Sequence, residues 1–350
     1  MRALLFVFLF ALTVALRTQA GEPTVAEDAS TLLVQGTETA ARGDVAAAEA
    51  ALARAAEAFG SFGTLTEAER SRYISALNLR ASLLHARGRT GEAEAVCRRA
   101  LAVSEAGRSP RDTADTLVLL AGMHLDRGER GAADELASRA LKLWEKSGGP
   151  ADPEVARALS VLADVRASRG ELTEADGLLR RAARAAESRL GSPAILAAVV
   201  ARRGLLRLHA GRYADAEPLL EQGVELAEEA LGSDHPALVR LTQTLADCYR
   251  LRNRPADAQP LYERSIAMGE RLQGNAHASL LPSLTGLMLV LERQDDLGGA
   301  AAAHARALAI ATEHSVRATW LPMLVAFEER HRRRGPQIVG TTTASAASLP

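Results

Sequence analysis

Apolar positions along most of this chain recur at helical spacing, and the helical stretches come in pairs. The clearest member is residues 211–237, GRYADAEPLLEQGVELAEEALGSDHPA, which reads as a turn, an amphipathic helix and an exit loop. The same grammar returns on both sides of it. A turn residue precedes the second helix of each pair at Gly43, Gly88, Gly128, Gly170, Gly211, Asn253 and Asp295, at intervals of 45, 40, 42, 41, 42 and 42 residues. Five residues after each stands an alanine: Ala48, Ala93, Ala133, Ala175, Ala216, Ala258 and Ala300. A side chain that small belongs where two helices approach closely. A basic-small-apolar triplet follows, as in Arg99-Ala100-Leu101, Arg139-Ala140-Leu141, Arg264-Ser265-Ile266 and Arg306-Ala307-Leu308, and the fifth copy, Gln222-Gly223-Val224, lacks its arginine. Self-similarity at a fixed period of this length predicts stacked helical hairpins forming one continuous object, here over residues 21–317.

Local signals agree with that frame. Arg87, Arg127, Arg169 and Arg252 place a cation at the end of a first helix, and acidic residues such as Glu92, Glu94, Glu174, Asp176, Asp215 and Glu217 fall in the first turns of second helices, complementing the helix dipoles. Glycine at the turn supplies a left-handed cap. Thr66 followed by Glu69 has the form of a capping box. The exit loops SGGPADP, LGSP and LGSDHP each offer a proline to start the next helix. Such caps contribute at most about 1 kcal/mol each, so stability must come mainly from stacked apolar faces.

The ends differ. Residues 1–20 combine Arg2, an apolar run over residues 3–16 and a small residue at Ala20, the architecture of a secretory signal peptide. Export, periplasmic or secreted, is therefore expected, the alternative being a membrane anchor formed by residues 3–16 if that segment is not cleaved. Repeat seven is worn by Gly298-Gly299. Residues 318–334 predict a capping helix with Trp320, Leu321, Leu324 and Phe327 on its apolar side and Glu328, Glu329 and the HRRR run facing water. The tail, 335–350, has no periodic apolar face and reads as disordered.

Composition changes the picture in two places. Aromatics are 3% of the chain against 47% hydrophobics, which suits an all-α class, and a formal charge of -1 with Lys142 and Lys146 as the sole lysines gives no basis for a nucleic-acid partner. Cys97 and Cys248 fall four repeats apart, too far to bridge, and are expected as two buried thiols.

The segments AGRYADAEPLLEQGVELAEEALGSDHPAL and NRPADAQPLYERSIAMGERLQGNAHASL resemble tetratricopeptide repeats of the 42-residue kinesin-light-chain type, over about residues 28–315. The resemblance implies an all-α, right-handed superhelical solenoid of about seven helix-turn-helix repeats with a C-terminal capping helix. Its first helices would line a concave groove for a protein or peptide partner. Groove positions implied by the family lie 13, 10, 6, 3 and 2 residues before each turn residue. They make Asn78, Ser82, His85, Asp115, Asp126, Arg157, Ser160, Asp164, Arg240, Gln243, Asp247 and Arg250 the candidate partner-binding set, with a largely apolar wall at Ala198, Ala201, Leu205 and Leu208 in repeat five. Asn78 is the expected backbone contact, exposed in the groove and replaceable without loss of stability. The family's groove asparagine is otherwise mostly replaced, by Leu33, Val118, Ser160, Ala201 and Thr285.

No phosphate-cradling lysine loop, G-x-S-x-G elbow or i, i+4 histidine pair occurs, and the eight histidines are scattered, so no catalytic residue, metal site or cofactor is expected. The expected function is a non-catalytic interaction scaffold. The alternatives are a regulatory or substrate-presenting subunit of an enzyme carried on another chain, and a membrane-tethered assembly factor.

Overall fold

The protein is described by a computed structural model that covers residues 27–331, except residues 43, 62–63, 151, 188–191 and 314–316. The proposed leader and tail lie outside those residues. Helices α1 (Glu27–Ala41) and α2 (Val45–Gly60) form repeat one, α3 (Glu67–Ala86) and α4 (Thr90–Ala106) repeat two, and α5 (Pro110–Asp126) and α6 (Arg130–Gly148) repeat three. Repeat four pairs α7 (Val155–Ser168) with α8 (Leu172–Ala186), repeat five α9 (Pro193–His209) with α10 (Tyr213–Leu231), and repeat six α11 (Pro236–Leu251) with α12 (Pro255–Gln273). A 3-10 turn (Ala278–Leu280) leads into α13 (Leu281–Arg293) and α14 (Leu297–Glu313), and α15 (Arg317–His331) follows. Among the described residues there is no strand.

The repeat marks have physical causes. Gly88, Gly128, Gly170 and Gly211 all adopt positive φ, between 72° and 83°, and Asn253 and Asp295 hold the same left-handed turn at 60° and 61°. Asparagine and aspartate are the side chains that tolerate it best. All seven alanines five residues on are fully buried. Seven residues before the turn a second small column, for example Gly36, Ala81, Ala163 and Gly204, faces large residues of the second helix: a Cβ on Gly204 would lie 2.7 Å from Leu220 Cγ, and one on Gly36 2.6 Å from Leu52 Cγ. Thr66 and Glu69 form the capping box. Pro110, Pro193, Pro236 and Pro255 start helices, whereas Pro153 stands two residues before α7.

Each first helix packs on the first helix of the next repeat, and each second helix packs on the first helices of its own and the following repeat. The first helices therefore form the closed inner layer. On the outside, ion pairs repeat with the period. Glu105 meets Arg139 at 2.6 Å, and the equivalent pairs are Glu145 with Arg181, Glu228 with Arg264 and Glu270 with Arg306. The basic triplet thus joins neighbouring second helices. In repeat five Gln222 replaces the arginine, so that rung has no ion pair. A second series runs along the turns: Glu49 to Arg87 and Arg89, Glu94 to Arg127, Asp176 to Arg207, and Glu217 to Arg254. Several acids expected merely to complement helix dipoles are in fact cross-repeat links. Pairs of this kind at the surface contribute about 0–1 kcal/mol each; Asp176, 4% exposed, is the buried member of the second series.

At the C-terminal end, α15 covers repeat seven through buried Leu324 and Phe327 with Trp320 packed alongside. The expectation that His331 faces water is corrected. It is 4% exposed, its Nε2 lies 2.7 Å from a Glu292 carboxylate oxygen, and its ring meets Phe327. The reason is that α15, packed on α14, brings its C-terminal end to Glu292 near the end of α13, where Arg330 pairs as well, at 2.8 Å. His304 also stacks on Phe327, its centroid at 4.9 Å, and its Nε2 is 3.0 Å from the Leu324 carbonyl. Cys97 and Cys248 are buried free thiols.

Two outcomes are expected. Gly204→Ala forces Leu220 to shift and lowers stability by about 1–3 kcal/mol in a urea melt, whereas Gly177→Ala, which meets nothing, does not. Burial holds the His304 pKa below its ordinary value of 6.5 against the opposing pull of the Leu324 carbonyl and Glu328. Its neutral form therefore stabilises the docked end above that value, and the contribution is lost as pH falls through the lower folded value. Protection factors of α15 amides, corrected for the slowing of intrinsic exchange with acidity, should fall below pH 6.5 more than those of α5.

Candidate functional site

Two cavities of about 100 Å³ each open on the concave side. The first is walled by the C-terminal halves of α3, α5 and α7 and by α9, with Arg240 of α11; its surface is mainly apolar, from Leu119, Val161 and Leu205. The second lies between the N-terminal halves of α9 and α11 and the end of α10, and is walled chiefly by alanines. They share Arg202, Leu205 and Arg240, so they are two chambers of one cleft.

The candidate groove residues divide into three groups. Asn78, Ser82, Asp115, Arg157 and Ser160 are buried, between 0% and 7% exposed, which corrects the expectation of exposed side chains. Adjacent first helices are slim and alanine-rich, and they close over these positions. Asn78 Nδ2 donates to Thr116 Oγ1 at 2.9 Å across α3 and α5. Arg157 donates to Asp115 at 3.2 Å across α7 and α5 and to Glu154 at 3.1 Å, with its guanidinium over the Trp144 ring. Ser82 and Ser160 donate to carbonyls one turn back in their own helices, those of Asn78 and Ala156. Ser82 nevertheless touches the first chamber.

The second group faces the cleft. His85 Nε2 lies 2.9 Å from Asp126, the His85 side chain is 9% exposed, and its Nδ1 has no hydrogen-bond partner. Asp164 is 3.6 Å from Arg202. Arg240 joins Arg202 at the junction of the chambers, where burial and the neighbouring Arg202 charge push its pKa below the ordinary arginine value. The third group, Gln243, Asp247 and Arg250, lines neither chamber. Asp247 accepts from Gln243 at 2.9 Å, from Arg250 at 3.1 Å and from Tyr262 at 2.6 Å, a closed network within repeat six.

Arg202 was missed because it stands nine residues before Gly211, outside the five family columns. The signal was the Arg202-Arg203 doublet directly after the apolar first half of the helix. Ser82, His85 and Asp126 are residue types that serve in acyl transfer, but the Ser82 hydroxyl donates to a backbone carbonyl and His85 Nδ1 has no partner, so no nucleophile-to-base contact exists. Among the described residues no group of three His, Cys, Asp or Glu side chains could hold a metal ion, and no helix is long and apolar enough to cross a membrane.

Paired helices with left-handed turns and fully buried alanines at a 42-residue period define a helical-repeat solenoid with a concave cleft. Family models described as tetratricopeptide repeat match residues 74–107, 112–188 and 196–271, and the chain belongs to that family. No curated protein matches it. Among solved structures, a Rap protein complexed with competence and sporulation factor is similar over 89% of this chain and 100% of its own, at 14% identity and a TM-score of 0.55. The hetero-tetramer Cut9-Hcn1 of the APC/C is similar over 75% of this chain and 43% of its own, at 16% identity and a TM-score of 0.51. A putative kinesin light chain of nearly identical TPR-like repeats from Podosopora anserina is similar over 57% and 95%, at 22% identity and a TM-score of 0.49.

The burial of Asn78 generates an expectation opposite to the sequence-based one. Asn78→Ala removes a buried partner of Thr116 and should lower stability by about 1–3 kcal/mol in thermal or urea unfolding. An unchanged melt would mean that the contact across α3 and α5 is not made.

Proposed function

We propose that the protein is a non-catalytic interaction scaffold that takes a peptide or an extended segment of a partner protein along the concave cleft. The observation that carries this reading is the cleft's composition. An apolar floor over repeats two to six is interrupted by charged groups, with His85 and Asp126 at one end and Asp164, Arg202 and Arg240 about the junction of the two chambers. An apolar floor supplies burial, while fixed polar groups set orientation and register. The convex surface offers instead a lattice of ion pairs already satisfied between repeats. His85, Asp126, Asp164 and Arg240 are the groove residues that bear on a partner. Asn78, Asp115, Arg157 and Ser160 act behind them, by fixing the spacing of the first helices.

The pattern of residues 1–20 supports placing this scaffold outside the cytoplasm, with cleavage leaving Gly21 as the first residue; amino-terminal sequencing of the native protein decides that point. A photo-crosslinking residue at position 205, in the cleft, should capture a partner from the native extract, and the same residue at 184 on the convex side of α8 should not. Capture from 184 alone would transfer the working surface to the outer face.

A further inference from the structure

The chain leaves the described residues on the concave side. His331, the last residue of α15, is 4% exposed and meets Glu292, which stands three residues before the turn at Asp295. The same column in earlier repeats includes His85, Leu125 and Ala167, all of which line the first chamber. Residues 332–350, RRRGPQIVGTTTASAASLP, therefore start at the turn edge of the inner layer, the half in which that chamber lies.

Reach and chemistry select what this segment covers. Ile338 and Val339 follow His331 by seven and eight residues, an extended span of roughly 23–28 Å. Counting first helices from α15, α9 is the third after α13 and α11; at about 8–10 Å per helix it is roughly 24–30 Å away. The two apolar side chains thus come level with Leu205 and Leu206 of the first chamber. Pro336 favours an extended path, since its ring fixes φ and keeps the residue before it out of the helical region. On the way Arg332, Arg333 and Arg334 cross α13 and α11, whose inner side chains at this edge are Glu292, Arg293, Asp247 and Arg250, two of each sign. Residues 335–350 carry no ionisable side chain, so the part that reaches Asp164, Arg202 and Arg240 is repelled by none of them.

Resting on the reading of the cleft as a groove for an extended segment, we propose that the chain's own residues 335–340 occupy it, with Ile338 and Val339 on the apolar floor beside Leu205, and that a partner binds by displacing them. Tethering makes a weak contact sufficient. A short flexible link holds the segment at an effective concentration on the order of 1 mM, so a contact whose dissociation constant is about 1 mM as a free peptide fills the cleft about half the time. The apolar floor stays covered until a partner of higher affinity arrives.

The test places photoreactive benzoylphenylalanine at position 338 of the full chain and maps the adducts by mass spectrometry at two protein concentrations. The expected adducts lie on α9 and α11, within one chain and in a yield independent of concentration. Adducts on Met323 or Val325, the exposed apolar residues of α15, would show the segment folded over the end of the solenoid instead. Adducts between chains, rising with concentration, would put a second copy's segment in the cleft. Either result, or the absence of adducts on α9 and α11, overturns the proposal. A second measurement uses the dye anilinonaphthalene sulfonate as a reporter of uncovered apolar floor. Ile338→Asp and Val339→Asp, which alter no described helix, should each raise dye fluorescence about threefold over the unchanged chain, and Ile338→Leu should not. A synthetic peptide of residues 335–350 should reverse the rise at about 1 mM. Dye uptake equal in all forms would overturn the covering of the cleft and leave the groove reading standing, since capture from position 205 tests that reading separately.

Discussion

The structure depends on how closely its helices approach one another, and that is set by the removal of side-chain bulk at two fixed positions in the first six repeats. The alanine five residues after each turn is fully buried in all seven repeats, and repeats one to six place a glycine or alanine seven residues before the turn, which at Gly36 and Gly204 admits the large side chain opposite; repeat seven has Met288 there. Close-packed interiors tolerate little change in volume, so these columns fix the hairpin before any polar contact matters. Because the hairpins are slim, consecutive first helices can also meet side by side. That second contact turns a row of hairpins into a walled cleft.

Polar side chains on the inner layer consequently do two different jobs. Where first helices touch, Asn78 with Thr116 and Asp115 with Arg157 join neighbours about one repeat apart in sequence. Where the layer opens, His85, Asp126, Asp164, Arg202 and Arg240 line the chambers. The outer ion pairs add a third series that follows the same period, and it is interrupted at Gln222 in repeat five, whose first helix walls both chambers.

The fold was legible because the period repeats seven times: left-handed turns fall at Gly88, Gly128, Gly170, Gly211, Asn253 and Asp295, and Pro193 and Pro236 begin helices as the exit loops imply. The site was legible only by column. Residue spacing tells which face of a helix a side chain occupies, but not how near the next first helix comes, so Asn78 and Arg157 read as exposed although they are 1% and 5% exposed. Arg202 escaped for the converse reason, since it reaches the cleft from outside the family columns. His331 was taken for a solvent-facing charge because the contact that buries it, Glu292, belongs to a helix about forty residues earlier.

The central claim is that lateral contact between first helices holds the cleft in shape. The buried pair of Asp115 and Arg157 tests it most directly through a double-mutant cycle, with each residue replaced by alanine singly and together and stability read by urea unfolding. Removing Asp115 leaves Arg157 its second partner, Glu154, so each single change should cost about 1–3 kcal/mol rather than the full penalty of an unpaired buried charge. The double change should cost less than the sum, with a coupling of at least about 1.5 kcal/mol. Additive effects, with no coupling, would show that α5 and α7 do not depend on this contact and would contradict the account.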